Sequence, residues 1–246
     1  MKIKGCVMSM IGKKRENNED NFYFSNQILK ESNSGLEKIL EKELNTSTFG
    51  IFDGMGGLPL GEKASHLGAL ELQKYCNNTS NFSMKEYFLK ANERIKNYKN
   101  GKVPLGTTVS IIHFQKNQLE IGNIGDSRIY LLKKDKLIQV SKDHTEKLLF
   151  DELKIKLNRK PRLIEYLGLK EEGFKIHPHI KKYSYKGVQK ILMCTDGLTD
   201  MVEEERIRKT LLEKESIKEN MEDLIHLVNQ NGGEDNTTIM IFQIME

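Results

Sequence analysis

Short acidic motifs recur along the chain at points where a strand is predicted to end. They are Glu19-Asp20, Asp53-Gly54, Asp126, Asp196-Gly197 and Asp235-Asn236. Asp53 and Asp196 each follow an apolar run, residues 49–52 and 191–195, and such runs are typical of buried strands whose last residue emerges at the sheet edge. Carboxylates brought together at such an edge repel one another strongly unless a cation lies between them. Hard divalent cations prefer carboxylate and carbonyl oxygens, so the motifs predict a metal site that the fold assembles.

The hydrophobic pattern predicts strands and helices that alternate in groups, which is typical of a layered α+β fold. The predicted strands are residues 2–12, 21–25, 49–53, 107–114, 118–124, 128–132, 137–140, 188–195 and 237–244. The predicted helices are residues 61–76, a second that begins after Ser83, 203–212 and 217–229. Ser83 is the expected N-cap of its helix, and Glu86 would complete a capping box. Residues 29–46 are expected to form a polar surface excursion, and residues 145–175 have a charged, helix-like sequence.

The length and composition favour one domain that spans residues 1–246. The chain has 246 residues, enough for a substantial core, and it contains no repeat, Pro/Gly-rich linker or low-complexity tract. Its three cysteines are far apart and form no disulfide framework or metal knuckle, so a cytoplasmic location is expected. The apolar stretch at the N-terminus is short and predicts a strand rather than a signal peptide. No apolar run approaches the ~20 residues that a membrane span requires.

The charge of the chain is mildly positive and unevenly placed. A formal net charge of +4 argues against a dedicated nucleic-acid-binding protein. Residues 133–162 hold ten Lys or Arg against five Asp or Glu, so the rest of the chain is close to neutral. Charge runs of this kind usually form a solvated surface. The alternative is a cationic rim beside the metal site that attracts phosphorylated proteins.

The order and spelling of the acidic motifs resemble those of the metal-dependent protein phosphatases, the PPM family of type 2C serine/threonine phosphatases. The resemblance extends from Lys2 to the C-terminus, and the triplets Gly106-Thr107-Thr108 and Asp143-His144-Thr145 fall where the family has similar ones. It implies a four-layer α-β-β-α sandwich, in which two central antiparallel sheets are flanked by helix pairs. It also implies a flap subdomain at about residues 145–175. The small size and the DGMGG spelling are similar to the bacterial branch.

The same resemblance implies which residues bind metal. These are Glu19, Asp20, Asp53, Gly54, Asp126, Asp196 and Asp235. Asp53 is expected to bridge two Mn²⁺ or Mg²⁺ ions, and the Gly54 carbonyl to bind one of them, with glycine needed because the backbone must turn sharply. Asp196 and Asp235 are expected to complete the shell of the first ion.

Three further carboxylates have implied roles around these ions. Glu19 and Asp20 are expected either to hold the second ion or to orient its waters. Asp126, together with Asp196, resembles the pair that binds a third, weaker ion in bacterial members. In this family a water between the two ions becomes a hydroxide near neutral pH and attacks the phosphoester in line.

Arg15 is the candidate for gripping the substrate phosphate. It lies five residues before Asp20, where the family keeps an arginine with this role. A guanidinium fork can bind two phosphate oxygens at once, which a lysine cannot do. The alternative for Arg15 is a surface ion pair with Glu16 or Glu19.

Two positions depart from the family pattern. Animal members have a histidine after the Asp-Gly pair, proposed as the proton donor to the leaving group, whereas this chain has Met55, as many bacterial members do. A metal-bound water or another group must then protonate the leaving alkoxide. Bacterial relatives commonly have a histidine where this chain has Leu58, and no mechanism follows from that change.

The flap sequence is rich in lysine and arginine. The candidates for contact with a substrate protein are Lys154, Lys156, Arg159, Lys160 and Arg162. The alternative is that these are ordinary solvated side chains.

The resemblance implies a phosphatase that acts on phosphoserine or phosphothreonine in proteins. Its implied partners are phosphorylated proteins and a membrane-anchored Ser/Thr kinase that it opposes, and a monomer is expected. One alternative is a pseudophosphatase that serves as a binding module, and the intact set of carboxylates argues against it. Another is a regulatory phosphatase of a partner-switching pathway, whose members generally have a more divergent site.

Overall fold

The computed structural model describes residues 2–36, 38–44, 46–55, 60–79, 81–116, 118–169 and 175–245. The strands are β1 (Lys2–Met10), β2 (Asp20–Tyr23), β3 (Leu40–Glu43), β4 (Thr48–Asp53), β5 (Val109–Phe114), β6 (Leu119–Ile124), β7 (Arg128–Lys133), β8 (Lys136–Gln139), β9 (His179–Tyr183), β10 (Val188–Cys194) and β11 (Thr237–Met245). The α-helices are α1 (Gly61–Asn78), α2 (Met84–Lys96), α3 (Lys147–Glu152), α4 (Asp196–Thr199), α5 (Glu204–Glu213) and α6 (Ile217–Gln230). None of the helices in these ranges has the length and apolar character that crossing a bilayer requires.

The strands form two antiparallel sheets that pack face to face. One sheet has the order β3-β1-β11-β10-β7-β8, and the other has the order β2-β4-β5-β6-β9. Their inner faces share a core of aliphatic and aromatic side chains, in which the rings of Phe49 and Phe242 lie 4.8 Å apart between centroids. Burial of such large apolar side chains is the main force that holds the two sheets together.

A helix pair covers the outer face of each sheet. α1 and α2 pack on the β2–β4 side of the smaller sheet, and α5 and α6 pack on the larger one. The Ser83 side chain accepts a hydrogen bond from the Glu86 backbone N–H, as expected for the N-cap of α2. The four-layer α-β-β-α sandwich with two central antiparallel sheets is therefore confirmed.

Two segments differ from their predicted structure. Residues 29–46 were expected to be a surface excursion, but Leu40–Glu43 forms β3 and pairs with β1. Leu36, Leu40 and Leu44 pack against the inter-sheet core. A spacing of four residues suits one face of a helix and equally one face of a strand, so the pattern did not decide between them.

The second difference lies in the flap, at about residues 145–175. Its helix-like sequence forms only the short α3, and most of its other described residues are irregular. Strand β9 follows the flap at the edge of the smaller sheet, where its exposed lysines are typical of an edge strand.

The antiparallel topology brings the acidic motifs to one end of the sandwich. β4 ends at Asp53 and lies antiparallel to β2, which begins at Asp20. In the other sheet β10 ends at Cys194 and lies antiparallel to β11, which begins at Thr237. The ends of these four strands, where the acidic motifs lie, are therefore close together at one end of the sandwich.

Candidate active site

Asp20 and Asp53 face each other directly across the β2–β4 ladder. Residues in opposed positions of an antiparallel pair have Cβ atoms about 5 Å apart, and like charges there destabilise the sheet. Burial raises the pKa of Asp53 well above its usual range, and the neighbouring carboxylates of Asp196 and Asp20 raise it further. Burial likewise raises the pKa of Asp20 to about 8. The fold therefore stores electrostatic repulsion here that a bound cation would relieve.

One oxygen of Asp20 is fixed by hydrogen bonds and the other has no partner. The hydroxyls of Thr195 and Thr238 donate to Asp20 Oδ2 over 2.9 and 2.7 Å. Asp20 Oδ1 is buried and has no hydrogen-bond partner. An unpartnered buried carboxylate oxygen is costly, and it points to a cation or to a water held by one.

The Gly106-Thr107-Thr108 triplet holds the backbone of Asp53 in place. The Thr107 hydroxyl and the Thr108 backbone N–H both donate to the Asp53 carbonyl, over 2.9 and 2.8 Å. The Thr108 hydroxyl in turn accepts from the Asp53 N–H at 3.3 Å. The side chain of Asp53 thus projects from a backbone that is fixed on both sides.

Gly54 is required by space rather than by a sharp turn. A Cβ at this position would lie 2.3 Å from the Gly61 carbonyl oxygen and 2.6 Å from the Glu19 carbonyl oxygen. Its φ angle does not fall in the left-handed region. The expectation of a sharp backbone turn is therefore wrong, and close approach of two other backbone segments is the physical reason for glycine.

A cavity of about 390 Å³ collects the acidic motifs at this end of the sandwich. Its lining includes Arg15, Glu19, Asp53, Gly54, Asp126, Lys160, Asp196 and Asp235. Asp20 lies behind this lining and is almost completely buried. A larger cavity of about 560 Å³ lies at the other end of β4, and no Asp, Glu, Lys or Arg lines it. The chemistry of the acidic cavity, rather than its size, marks it as the candidate active site.

Asp126 lies in the turn between β6 and β7, which joins the two sheets. Burial, and to a smaller extent the charge of Asp196, raise the pKa of Asp126 to about 7, although Lys160 opposes the shift. The turn is fixed by His144, whose backbone N–H donates to the Gly125 carbonyl at 3.0 Å and whose Nδ1 accepts from the Gly125 N–H at 3.2 Å. His144 therefore has a structural role in holding this turn.

Asn236 ties the loop that carries Arg15 and Glu19 to the start of β11. Its side-chain oxygen accepts from the Glu19 N–H at 2.8 Å, and its amide donates to the carbonyls of Ile11 and Asn17, each at 2.9 Å. In the sequence, Asn236 stands out only as part of the Asp235-Asn236 motif. It was not predicted that the Asn236 side chain would fix a loop more than 200 residues away.

Arg15 forms an ion pair with Asp235, over 2.8 Å between Nη2 and Oδ2. The alternative of a pair with Glu16 or Glu19 is therefore wrong, because the loop conformation brings the guanidinium to the start of β11 instead. The hydrogen bond to Asp235 raises the pKa of Arg15 above its usual value. The side chain is 43% exposed, so it can leave this partner for a phosphate without crossing a packed interior.

Lys160 is the one flap residue among the five basic candidates that reaches the cavity. Its Nζ donates to Asp196 Oδ2 and, at 2.6 Å, to Asp200 Oδ2. Asp200 was not predicted, although its position four residues after Asp196 places both carboxylates on one face of a helical turn. Although burial works against it, the attraction of Asp196 and Asp200 raises the pKa of Lys160.

The other four basic candidates lie on the exposed surface of the flap and not in the cavity. They are Lys154, Lys156, Arg159 and Arg162. The Arg159 guanidinium pairs with Glu146. A role in substrate docking stays a prediction for these four residues and for Lys160.

The family model described as "Protein phosphatase 2C" matches residues 5–149, more than half of the chain. This chain is a member of the protein phosphatase 2C family. The resemblance to this family is confirmed, and at the level of the family so is the prediction of a hydrolase that acts on phosphoserine and phosphothreonine. The family is metal-dependent, which agrees with the acidic lining of the cavity.

Relatives of this phosphatase 2C member are known from bacteria. The serine/threonine phosphatase stp of Listeria welshimeri is 30% identical over 231 residues, which cover 87% of this chain and 89% of the relative. The crystal structure of the Mycobacterium tuberculosis serine/threonine phosphatase PstP/Ppp matches with a TM-score of 0.80 at 26% identity, over 100% of both chains. A crystal structure of the PstP catalytic domain in complex with two manganese ions has a TM-score of 0.77 at 26% identity, again over 100% of both chains.

The donor atoms of the cavity fit divalent cations by type. Every carboxylate that lines the cavity offers hard oxygen atoms. Behind the lining, the unpartnered Asp20 Oδ1 could accept a hydrogen bond from a metal-bound water or could ligate an ion itself. Within the described ranges no three His, Cys, Asp or Glu side chains already form a cage for an ion. Two of the carboxylates are held instead by Lys160 and Arg15. For Asp235 or Asp196 to bind an ion, its ion pair with Arg15 or Lys160 must therefore break.

The two departures from the family pattern have different outcomes. Met55 lines the cavity, and its backbone N–H donates to the Gly106 carbonyl at 3.0 Å. Its thioether has no proton to donate, so it cannot replace a histidine as a general acid. Leu58 lies outside the described residues.

Proposed function

We propose that this chain hydrolyses phosphoserine and phosphothreonine in proteins, with two Mn²⁺ or Mg²⁺ ions bound in the acidic cavity. The observation that supports this most directly is the convergence of Asp53, Asp126, Asp196 and Asp235 on one cavity beside Arg15. So many partly buried carboxylates at one site are unfavourable unless cations offset their repulsion. The manganese complex of the PstP catalytic domain supports the choice of ion.

Each carboxylate has a proposed task in this reaction. Asp53 would bridge the two ions and the Gly54 carbonyl would bind one of them, while Asp196 and Asp235 complete the shell of the first. Bound divalent ions would supply a nucleophile by lowering the pKa of a water, and would neutralise charge on the phosphoryl oxygens. The fixed backbone around Asp53 keeps its carboxylate in place throughout the reaction.

The remaining carboxylates would act around this centre. Glu19 lines the cavity and Asp20 lies behind it, so Glu19 would face the second ion while Asp20 orients a water through its unpartnered oxygen. Asp126 with Asp196 would bind a third, weaker ion. Thr195 and Thr238 keep Asp20 from rotating toward the other carboxylates.

Arg15 would bind the substrate phosphate. Its guanidinium lies at the cavity mouth and presents a fork of donors that matches two phosphate oxygens. Asp235 holds the guanidinium in this position before substrate arrives. If Asp235 ligated an ion, its pair with Arg15 would weaken, and the guanidinium would be available to bind the incoming phosphate.

The leaving alkoxide would be protonated by water. Among the described residues that line the cavity there is no histidine, and Met55 occupies the position of the proton donor of animal members. Lys160 is a poor acid because its two carboxylate partners raise its pKa. A water that is open to the cavity mouth is the remaining source.

The flap would contact the protein substrate. Exposed apolar and basic side chains alternate along it, with Leu153 at 68% and Ile155 at 50% exposure beside Lys154 and Lys156. An exposed surface that combines apolar and basic side chains beside an active site suits a phosphorylated protein with acidic residues. Arg162 adds a further charge in the same segment.

We also propose the wider setting of the enzyme. Residues 1–246 would act as a single phosphatase domain with its flap at about residues 145–175, as a monomer. Its partners would be phosphorylated proteins and a membrane-anchored Ser/Thr kinase whose action it reverses, and not nucleic acid. The three free cysteines support a cytoplasmic location.

The test is hydrolysis of a phosphothreonine peptide by the purified chain. Activity is expected with Mn²⁺ and is expected to disappear with EDTA. Asp53→Asn should lower kcat/KM by roughly two to three orders of magnitude, the loss typical for removal of one preorganised electrostatic group, because it weakens the binding of the ions that Asp53 would hold. The matched control is Asp135→Asn, at an exposed carboxylate in the β7–β8 turn, which should leave activity unchanged.

Three outcomes would contradict the proposal. Turnover that persists in EDTA would exclude metal-dependent hydrolysis. Turnover that survives Asp53→Asn would exclude the assigned ligand. Tight binding of the phosphopeptide without any turnover would favour the pseudophosphatase alternative.

A further inference from the structure

The flap places a cationic side chain, Lys160, in the acidic cavity that is proposed to bind metal ions. Its ammonium group lies between the carboxylates of Asp196 and Asp200. Asp196 is the carboxylate that a third ion would have to share with Asp126. The ammonium and a third ion would therefore compete for the same oxygen atoms.

The backbone that follows Lys160 is hydrogen-bonded to residues 144–146, which precede α3. The Glu146 N–H donates to the Arg162 carbonyl at 3.0 Å, and the Ile164 N–H donates to the His144 carbonyl at 2.9 Å. Pro161 follows Lys160 and restricts the backbone of both residues. Lys160 therefore reaches the cavity from a held segment rather than as the end of a freely moving chain.

The contacts of Lys160 distinguish it from its neighbours in the flap. All three lysines are exposed, but Lys154 and Lys156 do not line the cavity, whereas the half-exposed side chain of Lys160 does. Lys160 donates to two carboxylates, and Asp196 lies largely buried under it with a side-chain exposure of 18%. An ion pair with one buried partner is screened less by solvent than an exposed pair.

We propose that Lys160 acts as a built-in substitute for the third ion, so that the chain binds two ions tightly and a third only when the flap releases its lysine. This inference rests on the proposed function, because it presumes the two-ion centre. Displacement of Lys160 by an ion frees the segment that the lysine holds against Asp200. Occupancy of the third site and the position of the flap are then coupled, and by linkage each affects the other to the same extent.

The test is the number and affinity of Mn²⁺ ions bound, measured by equilibrium dialysis with metal analysis. The wild-type chain should bind two ions tightly and a third weakly. Lys160→Met should bind the third ion about tenfold more tightly, within the usual range for coupling between two ligands, with the first two unchanged. Lys160→Arg keeps the positive charge and should behave as wild type, as should the matched control Lys156→Met.

Hydrogen exchange of the flap gives a second, independent measurement. Excess Mn²⁺ should accelerate exchange of the Glu146 and Ile164 amides in the wild-type chain, because the ion displaces Lys160. In Lys160→Met exchange should be fast at every Mn²⁺ concentration.

Two results would overturn the inference. One is an equal affinity for the third ion in Lys160→Met and wild type, and the other is flap exchange that ignores Mn²⁺. A wild-type chain that binds fewer than two ions would instead overturn the proposed function, so the two failures can be told apart.

Discussion

Replacement of Asp126 by asparagine should stabilise the metal-free protein, and the gain should grow with pH. Asp126 is partly buried near other carboxylates, and this loss of solvent is the main cause that raises its pKa to about 7. In an unfolded chain an aspartate has a pKa of about 3.9. Between these values the folded protein holds a proton that the unfolded chain has lost. The free energy of unfolding therefore falls as pH rises through this window.

The size of the effect follows from the two pKa values. Each pH unit at which the folded and unfolded states differ by one proton changes the free energy by about 1.4 kcal/mol. From pH 5 to pH 7 the unfolded chain is ionised throughout, while folded Asp126 loses its proton only near the upper limit. The cost of Asp126 therefore rises by about 2 kcal/mol over this interval. Asp126→Asn lacks this cost at every pH.

The measurement is urea unfolding of both proteins in EDTA at pH 5, 6 and 7. His113, His144 and His179 have pKa values lowered by burial and act in the opposite direction, but they are present in both proteins. Their contributions cancel in the difference between variant and wild type. That difference should increase by about 2 kcal/mol from pH 5 to pH 7. Addition of saturating Mn²⁺ should remove the part of the wild-type pH dependence that comes from the site carboxylates, because ions replace protons on them.

The control is Asp135→Asn, at the exposed turn between β7 and β8, whose stability difference from wild type should not vary with pH. A difference for Asp126→Asn that is constant, or that shrinks toward pH 7, would refute the reasoning. It would mean that Asp126 is ionised in the folded protein at pH 5 and that its neighbours do not repel it.

Two further predictions concern the flap and a buried lysine. Replacement of Lys154, Lys156 and Arg162 together by alanine should raise KM for an acidic phosphoprotein several-fold and leave p-nitrophenyl phosphate hydrolysis unchanged, because only the protein substrate reaches the flap. The control variant replaces three exposed helix lysines: Lys74, Lys85 and Lys218. Equal effects on both substrates would exclude a docking role. Lys190→Met should lower the free energy of unfolding by about 2–3 kcal/mol in urea titration, because the buried Lys190 ammonium donates to the Leu211 and Lys214 carbonyls and to Asn220 Oδ1. A loss below about 0.5 kcal/mol, as for ordinary surface substitutions, would contradict this explanation.

Much of the fold could be predicted because its local signals agree with its tertiary structure. The apolar runs before Asp53 and Asp196 are buried strands, as their hydrophobicity indicates. Ser83 caps its helix through a contact three residues away, which local sequence is able to specify. Strand β3 was missed because leucines recur every fourth residue at positions 36, 40 and 44, a spacing that helix and strand share.

In the candidate site, too, some residues could be identified from the local sequence and others only from contacts between distant parts of the chain. The acidic motifs identified the carboxylates that line the cavity, because each follows or precedes a strand end. The hydroxyl donors to Asp20 are Thr195, just after β10, and Thr238 on β11. Both lie more than 170 residues further along the chain, so no local pattern could indicate them. The requirement for glycine at position 54 likewise depends on where Gly61 and Glu19 come to lie.

The sequence by itself determined the fold class, the family and the set of carboxylates, because hydrophobic periodicity and motif order are properties of the chain alone. Only the tertiary structure decided how the charges pair. Arg15 binds Asp235 rather than a neighbour in its own loop, and Lys160 binds Asp196 and Asp200 rather than solvent. Exposed ion pairs differ in free energy by about 1 kcal/mol or less, so the choice among them follows from where the backbone places each side chain.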